Sequence, residues 1–212
     1  MVDIAQTNRD NLNTAGPVVV LDRPDPVLAV PGVIPTDQQP QGMAPDALNA
    51  RSTAAVRYLL AGIRLALGFV FLWAFLDKTF GLGFATTPAK SWINGGSPTR
   101  GFLGSAEGPF ASFYRAIAGT PVADVLFMTA LFAIGTVLIL GIGMRVAAAA
   151  GAVLYVMMWT VALPPENNPV IDDHILGAIT MVVLAAFYAG DTWGLGKRWA
   201  ATKLVKEAPV LR

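Results

Sequence analysis

Apolar and polar positions divide this chain into two unlike parts. The first fifty residues carry Pro17, Pro24, Pro26, Pro31, Pro35, Pro40 and Pro45, with acidic and basic residues scattered among them at no helical or strand period. Short apolar runs such as Val18-Val19-Val20 are broken by proline and cannot cross a bilayer. The segment also lacks the basic start, continuous apolar stretch and cleavage site of a signal peptide. Residues 1–50 are therefore expected to be a disordered, proline-rich tail that stays on the side where it is made.

From Ala54 the pattern changes. Stretches at 55–76, 121–143, 146–163 and 174–190 approach the roughly 20 apolar residues that a membrane helix needs. The second opens on Thr120-Pro121, a capping residue followed by proline at the first helical position. Asp172 and Asp173 stand where the fourth begins. Phe110, Phe113, Tyr114 and Ile117 share one face of a short helix in the 77–120 connection, which is expected to lie in the membrane interface. The fold class expected is all-α: a four-helix transmembrane bundle over 51–200, an outer loop carrying that short interfacial helix, and a basic tail at 201–212.

Composition agrees with spans in lipid. The chain has 212 residues, of which 54% are apolar and only 14% charged, against about 25% charged in an average soluble domain. A net charge of +1 gives no basic field for nucleic acid. The absence of cysteine excludes disulfides, a thiol nucleophile and thiolate metal sites, and a single histidine excludes a bis-histidine haem. No metal site is expected. Arg51, Arg57, Arg145, Lys197, Arg198, Lys203, Lys206 and Arg212 flank the spans on one side. That side, with both termini, is expected to be cytoplasmic.

Charges inside spanning helices need an account. Arg57, Arg64, Phe71 and Lys78 recur every seven residues on one face of the first span. Arg64 either snorkels to the inner headgroups or faces the bundle, where Tyr155, Tyr188 or a quinone-like headgroup would meet it. Lys78 leans back into the outer leaflet and is expected to seek Asp77, Asp173, His174 or Glu166, under the loop carrying Trp92. The densest polar cluster, Glu166 to His174, has a structural explanation as a helix cap and an Asn168-Pro169 turn. It also holds the one side chain that titrates near neutral pH without perturbation.

The segments FLWAFLDK at 71–78, SWINGGS at 91–97 and PPENNPVIDDH at 164–174 resemble, in their order and spacing, the DoxX/DoxD family of small bacterial membrane proteins. The resemblance covers roughly 54–200 and implies a multi-pass four-helix bundle in the bacterial plasma membrane. It also implies a link to thiosulfate:quinone oxidoreductase, in which thiosulfate is oxidised to tetrathionate and quinone is reduced. On this reading His174, Asp173 and Lys78 carry the chemistry, His174 with its acidic neighbour exchanging protons and Lys78 stabilising developing negative charge. Arg64, Trp92, Arg100, Glu166 and Asn168 would bind substrate, Arg100 drawing in a small oxyanion. Quinone is the expected electron acceptor, without a bound metal or haem. The lipid bilayer and a partner redox subunit are the expected partners. The alternative is a non-catalytic membrane anchor that assembles partner redox or stress enzymes through its tails.

Overall fold

The computed structural model describes residues 45–212 apart from Asn167, with side chains from Thr53 onward. Residues 1–44, and with them most of the expected disordered tail, lie outside the described residues. All regular structure among the described residues is helical. The chain runs through α1 (Pro45–Phe80), two 3₁₀ turns, α2 (Arg100–Gly104), α3 (Ala111–Ile117), α4 (Pro121–Leu140), α5 (Met144–Val161), α6 (Asp173–Ala186), α7 (Gly196–Ala200) and α8 (Lys203–Glu207). Among the described residues, three stretches are long and apolar enough to cross a membrane: Thr53–Phe80, Pro121–Leu140 and Met144–Val161. The protein is a multi-pass membrane protein by that measure.

Three boundaries differ from the sequence expectation. Helix α1 begins at Pro45, so the expected break at residue 50 falls inside a helix; proline suits a first helical turn, and the alanine-rich stretch after it propagates one. The four-span count of the expected bundle is not confirmed: helix α6 has 14 residues and stops at Ala186, earlier than the expected end at residue 190. The reason lies in packing: Gly190 meets the backbone of Gly141 so closely that a Cβ on it would collide with the Gly141 carbonyl. Tyr188 turns left-handed at φ 50° to bring the chain there. The basic C-terminal residues are folded rather than a tail, with Val205 of α8 buried.

The long helices pack as antiparallel pairs. Along α1 and α4, Gly68 faces Leu138, Leu72 faces Gly135, and the Phe75 ring packs 5.1 Å from the Phe132 ring, tilted at 49°. Along α5 and α6, Gly151 faces Met181 and Gly177 faces the Tyr155 ring. Glycine admits these approaches because lipid offers no hydrophobic drive between helices, and close van der Waals packing must supply it. Phe71, Met128, Leu138, Met181 and Leu184 form the buried centre. The expected Thr120 cap is present, its Oγ1 accepting from the Ala123 N–H at 3.4 Å. The short helix expected from the aromatic face at 110–117 is α3.

Candidate functional site

Arg64 is completely buried. Its guanidinium neither snorkels nor meets Tyr155 or Tyr188. It donates to four backbone carbonyls: Leu138, Ile139 at 3.0 Å, Thr192 at 3.2 Å and Trp193 at 2.9 Å. Leu138 and Ile139 close the last turn of α4, where helical carbonyls lack partners and the dipole is negative. Arg64 therefore ties α1 to the end of α4 and to the loop after α6. This is structural work, and the expected substrate-binding role falls away with it.

The principal cavity, about 540 Å³, lies between α4 and α5 under a lid made of α2 and α3. Its size falls within the range of about 300–1,000 Å³ common for small-molecule sites. Ala123, Leu126, Phe127 and Ala130 form one wall, and Ala150, Val153, Leu154, Met157, Met158 and Val161 the other. Phe102, Leu103, Tyr114 and Ile117 roof it, and among the described residues Lys78 is the one charged side chain that lines it. Leu126 is 65% and Val153 60% exposed although both line the cavity, so it opens sideways, where lipid would lie. Residues 150–161 give the groove a run of about 16 Å along α5.

The hydroxyls at this site are already engaged. Tyr114 Oη lies 2.6 Å from Thr160 Oγ1, which itself donates to the Met157 carbonyl. Thr99 Oγ1 donates to Asp124 at 2.5 Å. Buried Asp124 also accepts from Ser97 Oγ at 2.9 Å and from the Thr99 N–H at 3.1 Å, pinning the outer loop to the first turn of α4. Sequence reading missed Asp124, although an acid in the first turn after Thr120-Pro121 was the available signal. Asp124→Ala should cost about 2–3 kcal/mol, since three donors lose their acceptor. Limited proteolysis within 97–119 reads the result, and wild-type resistance would contradict this role.

Lys78 is not joined to Asp173, His174 or Glu166. No ion pair among the described residues includes it, and the Asp77 carboxylate accepts from the backbone of Phe84 and Ala85 at 3.3 and 3.1 Å. The Phe102 ring, 6.3 Å from the His174 ring, belongs to the cavity wall. An apolar ring thus stands where a charge pair was expected. Trp92 does not cover this cavity; it lines a smaller hollow of about 190 Å³ with Phe75, Met128, Thr129 and Phe132. Arg100 is exposed, and its guanidinium lies close against Gly119. Glu166 is exposed, and Asn168 Oδ1 accepts from the Val170 and Ile171 N–H groups, a local turn.

His174 belongs to the cap of α6. Its Nδ1 lies 2.7 Å from Asp172 Oδ2, while Asp172 Oδ1 accepts from the Ile175 N–H at 3.2 Å. Asp173 is almost fully exposed. Burial opposes the Asp172 charge, but hydrogen bonds from His174 and Ile175 outweigh it and hold the carboxyl below its usual range. A depressed native value makes the contribution of this cap complete above the ordinary aspartate value and lost as pH falls through the native one. Asp172→Asn should therefore lower the melting temperature near neutral pH and flatten its fall below about pH 4. A variant with the wild-type acid limb would contradict that linkage. Asp172, Asp173 and His174 could also approach a common cation, but each is explained by the cap.

Taken together, the fold and site define a helical membrane protein with a laterally open apolar groove that holds one ammonium. No family model matches the chain, and no curated protein or solved structure matches it.

Proposed function

We propose that this protein is a quinone-linked membrane redox subunit of the DoxX/DoxD type, receiving quinone in the groove between α4 and α5. The observation that carries the reading is the groove itself: apolar walls open toward the bilayer, with Lys78 as its one charge among the described residues. A quinone is an apolar planar ring on a hydrocarbon tail, with carbonyl oxygens that accept but do not donate. An ammonium donates three hydrogen bonds and accepts none, so Lys78 suits those oxygens and stabilises the negative charge that grows on them during reduction. Phe102, Phe127 and Leu154 would exclude water from the ring. His174, behind Phe102, is better placed as a cap than as the proton donor at this site.

The resemblance in 71–78, 91–97 and 164–174 supports thiosulfate as the electron source. Two thiosulfate ions would join through a new S–S bond and release two electrons, which quinone takes up with two protons. A partner redox subunit would deliver those electrons. The test is purification of the chain, alone and with co-purifying proteins, followed by thiosulfate-dependent reduction of decylubiquinone. Saturable binding and reduction support the reading, and absence of both would overturn it.

Basic residues at the end bearing Arg145 and the C-terminus support a bacterial plasma membrane orientation with both termini cytoplasmic. The chain has no cysteine, so single replacements report cleanly. Cysteine at Gly95 should react with an impermeant reagent from outside intact cells, and cysteine at Thr202 only after lysis. The reverse pattern would invert the topology.

A further inference from the structure

At the end of the bundle where α4 stops, two sets of cations stand apart from Arg57, whose guanidinium lies 5.3 Å over the Tyr58 ring. Arg64, Arg145 and Arg212 are spent inside the protein. Arg145 donates to the Pro209 carbonyl at 3.0 Å and to Tyr188 Oη at 3.3 Å, while Arg212 pairs with Asp191 at 3.0 Å and lies 4.3 Å over the Tyr188 ring. Lys197, Arg198, Lys203 and Lys206 are exposed, and no side-chain bond or ion pair among the described residues engages them. Only Glu207 opposes them within 196–211.

These four are carried on a fixed surface. The Arg145 N–H donates to the Arg212 carbonyl at 2.8 Å, Trp199 Nε1 donates to the Leu211 carbonyl at 2.6 Å, and Val205 is buried. The surface begins where a membrane-length helix ends: the Leu195 N–H donates to the carbonyl of Leu140, the last residue of α4, and Trp193 packs 5.3 Å from Tyr58. Trp193, Leu195, Leu204 and Val210 are exposed on the same segment. Apolar side chains interleaved with unpaired cations at the level where a span ends match the boundary between acyl chains and headgroups.

We propose that α7 and α8, with the loop before them, form a binding platform for acidic phospholipids of the adjoining leaflet, the four free cations holding phosphate headgroups while Trp193 and Leu204 enter the acyl boundary. Zwitterionic lipid would satisfy the apolar side chains but not the charges. Fixed basic side chains near an anionic surface each add attraction that falls off within a Debye length. The platform is independent of the groove between α4 and α5 and of any redox role.

The experiment places the full chain in mixed phosphatidylcholine–phosphatidylglycerol bilayers and reads Trp193 fluorescence, taking the signal lost in Trp193→Phe. Brominated acyl chains, a contact quencher, are carried on one lipid or the other at equal mole fraction. Quenching by brominated phosphatidylglycerol should exceed that by brominated phosphatidylcholine about twofold or more, and high salt should shrink the excess. Changing Lys197, Arg198, Lys203 and Lys206 to Gln should abolish it. Equal quenching by both lipids in the wild-type chain would overturn the proposal, as would an excess that survives high salt or the fourfold change.

Discussion

Arg64→Met should lower the stability of the detergent-purified protein by about 2–5 kcal/mol. The lower bound takes roughly 0.6 kcal/mol for each of four membrane hydrogen bonds, and the upper bound reflects the greater strength of bonds to a charged donor. Replacing a buried charge and its partners together by apolar groups is often neutral. Here the partners are backbone carbonyls, which no side-chain change removes, so methionine leaves the acceptors of Ile139, Thr192 and Trp193 without the guanidinium and Leu138 with only the Gly141 N–H at 3.2 Å. At this chain length the loss corresponds to a melting temperature lower by about 10 °C. Arg64→Lys should fall between, since a compact ammonium on a shorter reach cannot serve both α4 and the loop after α6. A methionine variant within about two degrees of wild type would show that the carbonyl basket contributes little.

Lys78→Met should weaken decylubiquinone binding about 10- to 100-fold while leaving the fold intact. A hydrogen bond from a charged donor contributes about 1.5–3 kcal/mol, and each 1.4 kcal/mol is about tenfold in affinity. Methionine fills a similar volume in an apolar wall, and Lys78 has no ion pair among the described residues whose loss would destabilise the protein. Lys78→Arg should retain part of the affinity. His174→Gln, one ring behind the wall, should leave binding unchanged but weaken the cap of α6. The opposite pattern, with binding lost in His174→Gln and kept in Lys78→Met, would move the site to the cap.

The sequence and the structure agree where local chemistry decides. Thr120-Pro121 is a start signal that reads the same in any context, and α4 begins there. The aromatic face at 110–117 is likewise a local pattern, and α3 follows it. Agreement stops where a residue's partner lies far along the chain and carries no side-chain signature. Arg64 is held through its two terminal nitrogens by carbonyls as far as 74 and 128 residues away, and any sequence supplies carbonyls. The early end of α6 depends on Gly190 meeting Gly141, which neither glycine announces alone. Lys78 looked destined for the acidic cluster because charges in lipid seek partners, yet Asp172 was already committed to His174 and its own helix. The groove was illegible for a related reason: Ala123, Ala130 and Ala150 read equally well as close packing or as the space that packing leaves.

The central claim is that the groove between α4 and α5 takes an apolar, acceptor-bearing ring from the bilayer. A photoreactive quinone, activated in membranes containing the full chain and mapped by peptide mass spectrometry, tests it most directly. The account predicts labels within 126–130 and 150–158, suppressed by excess decylubiquinone and reduced in Lys78→Met. Labels concentrated instead at Phe75, Trp92 and Phe132, or spread over the lipid-facing surface and indifferent to competitor, would contradict it.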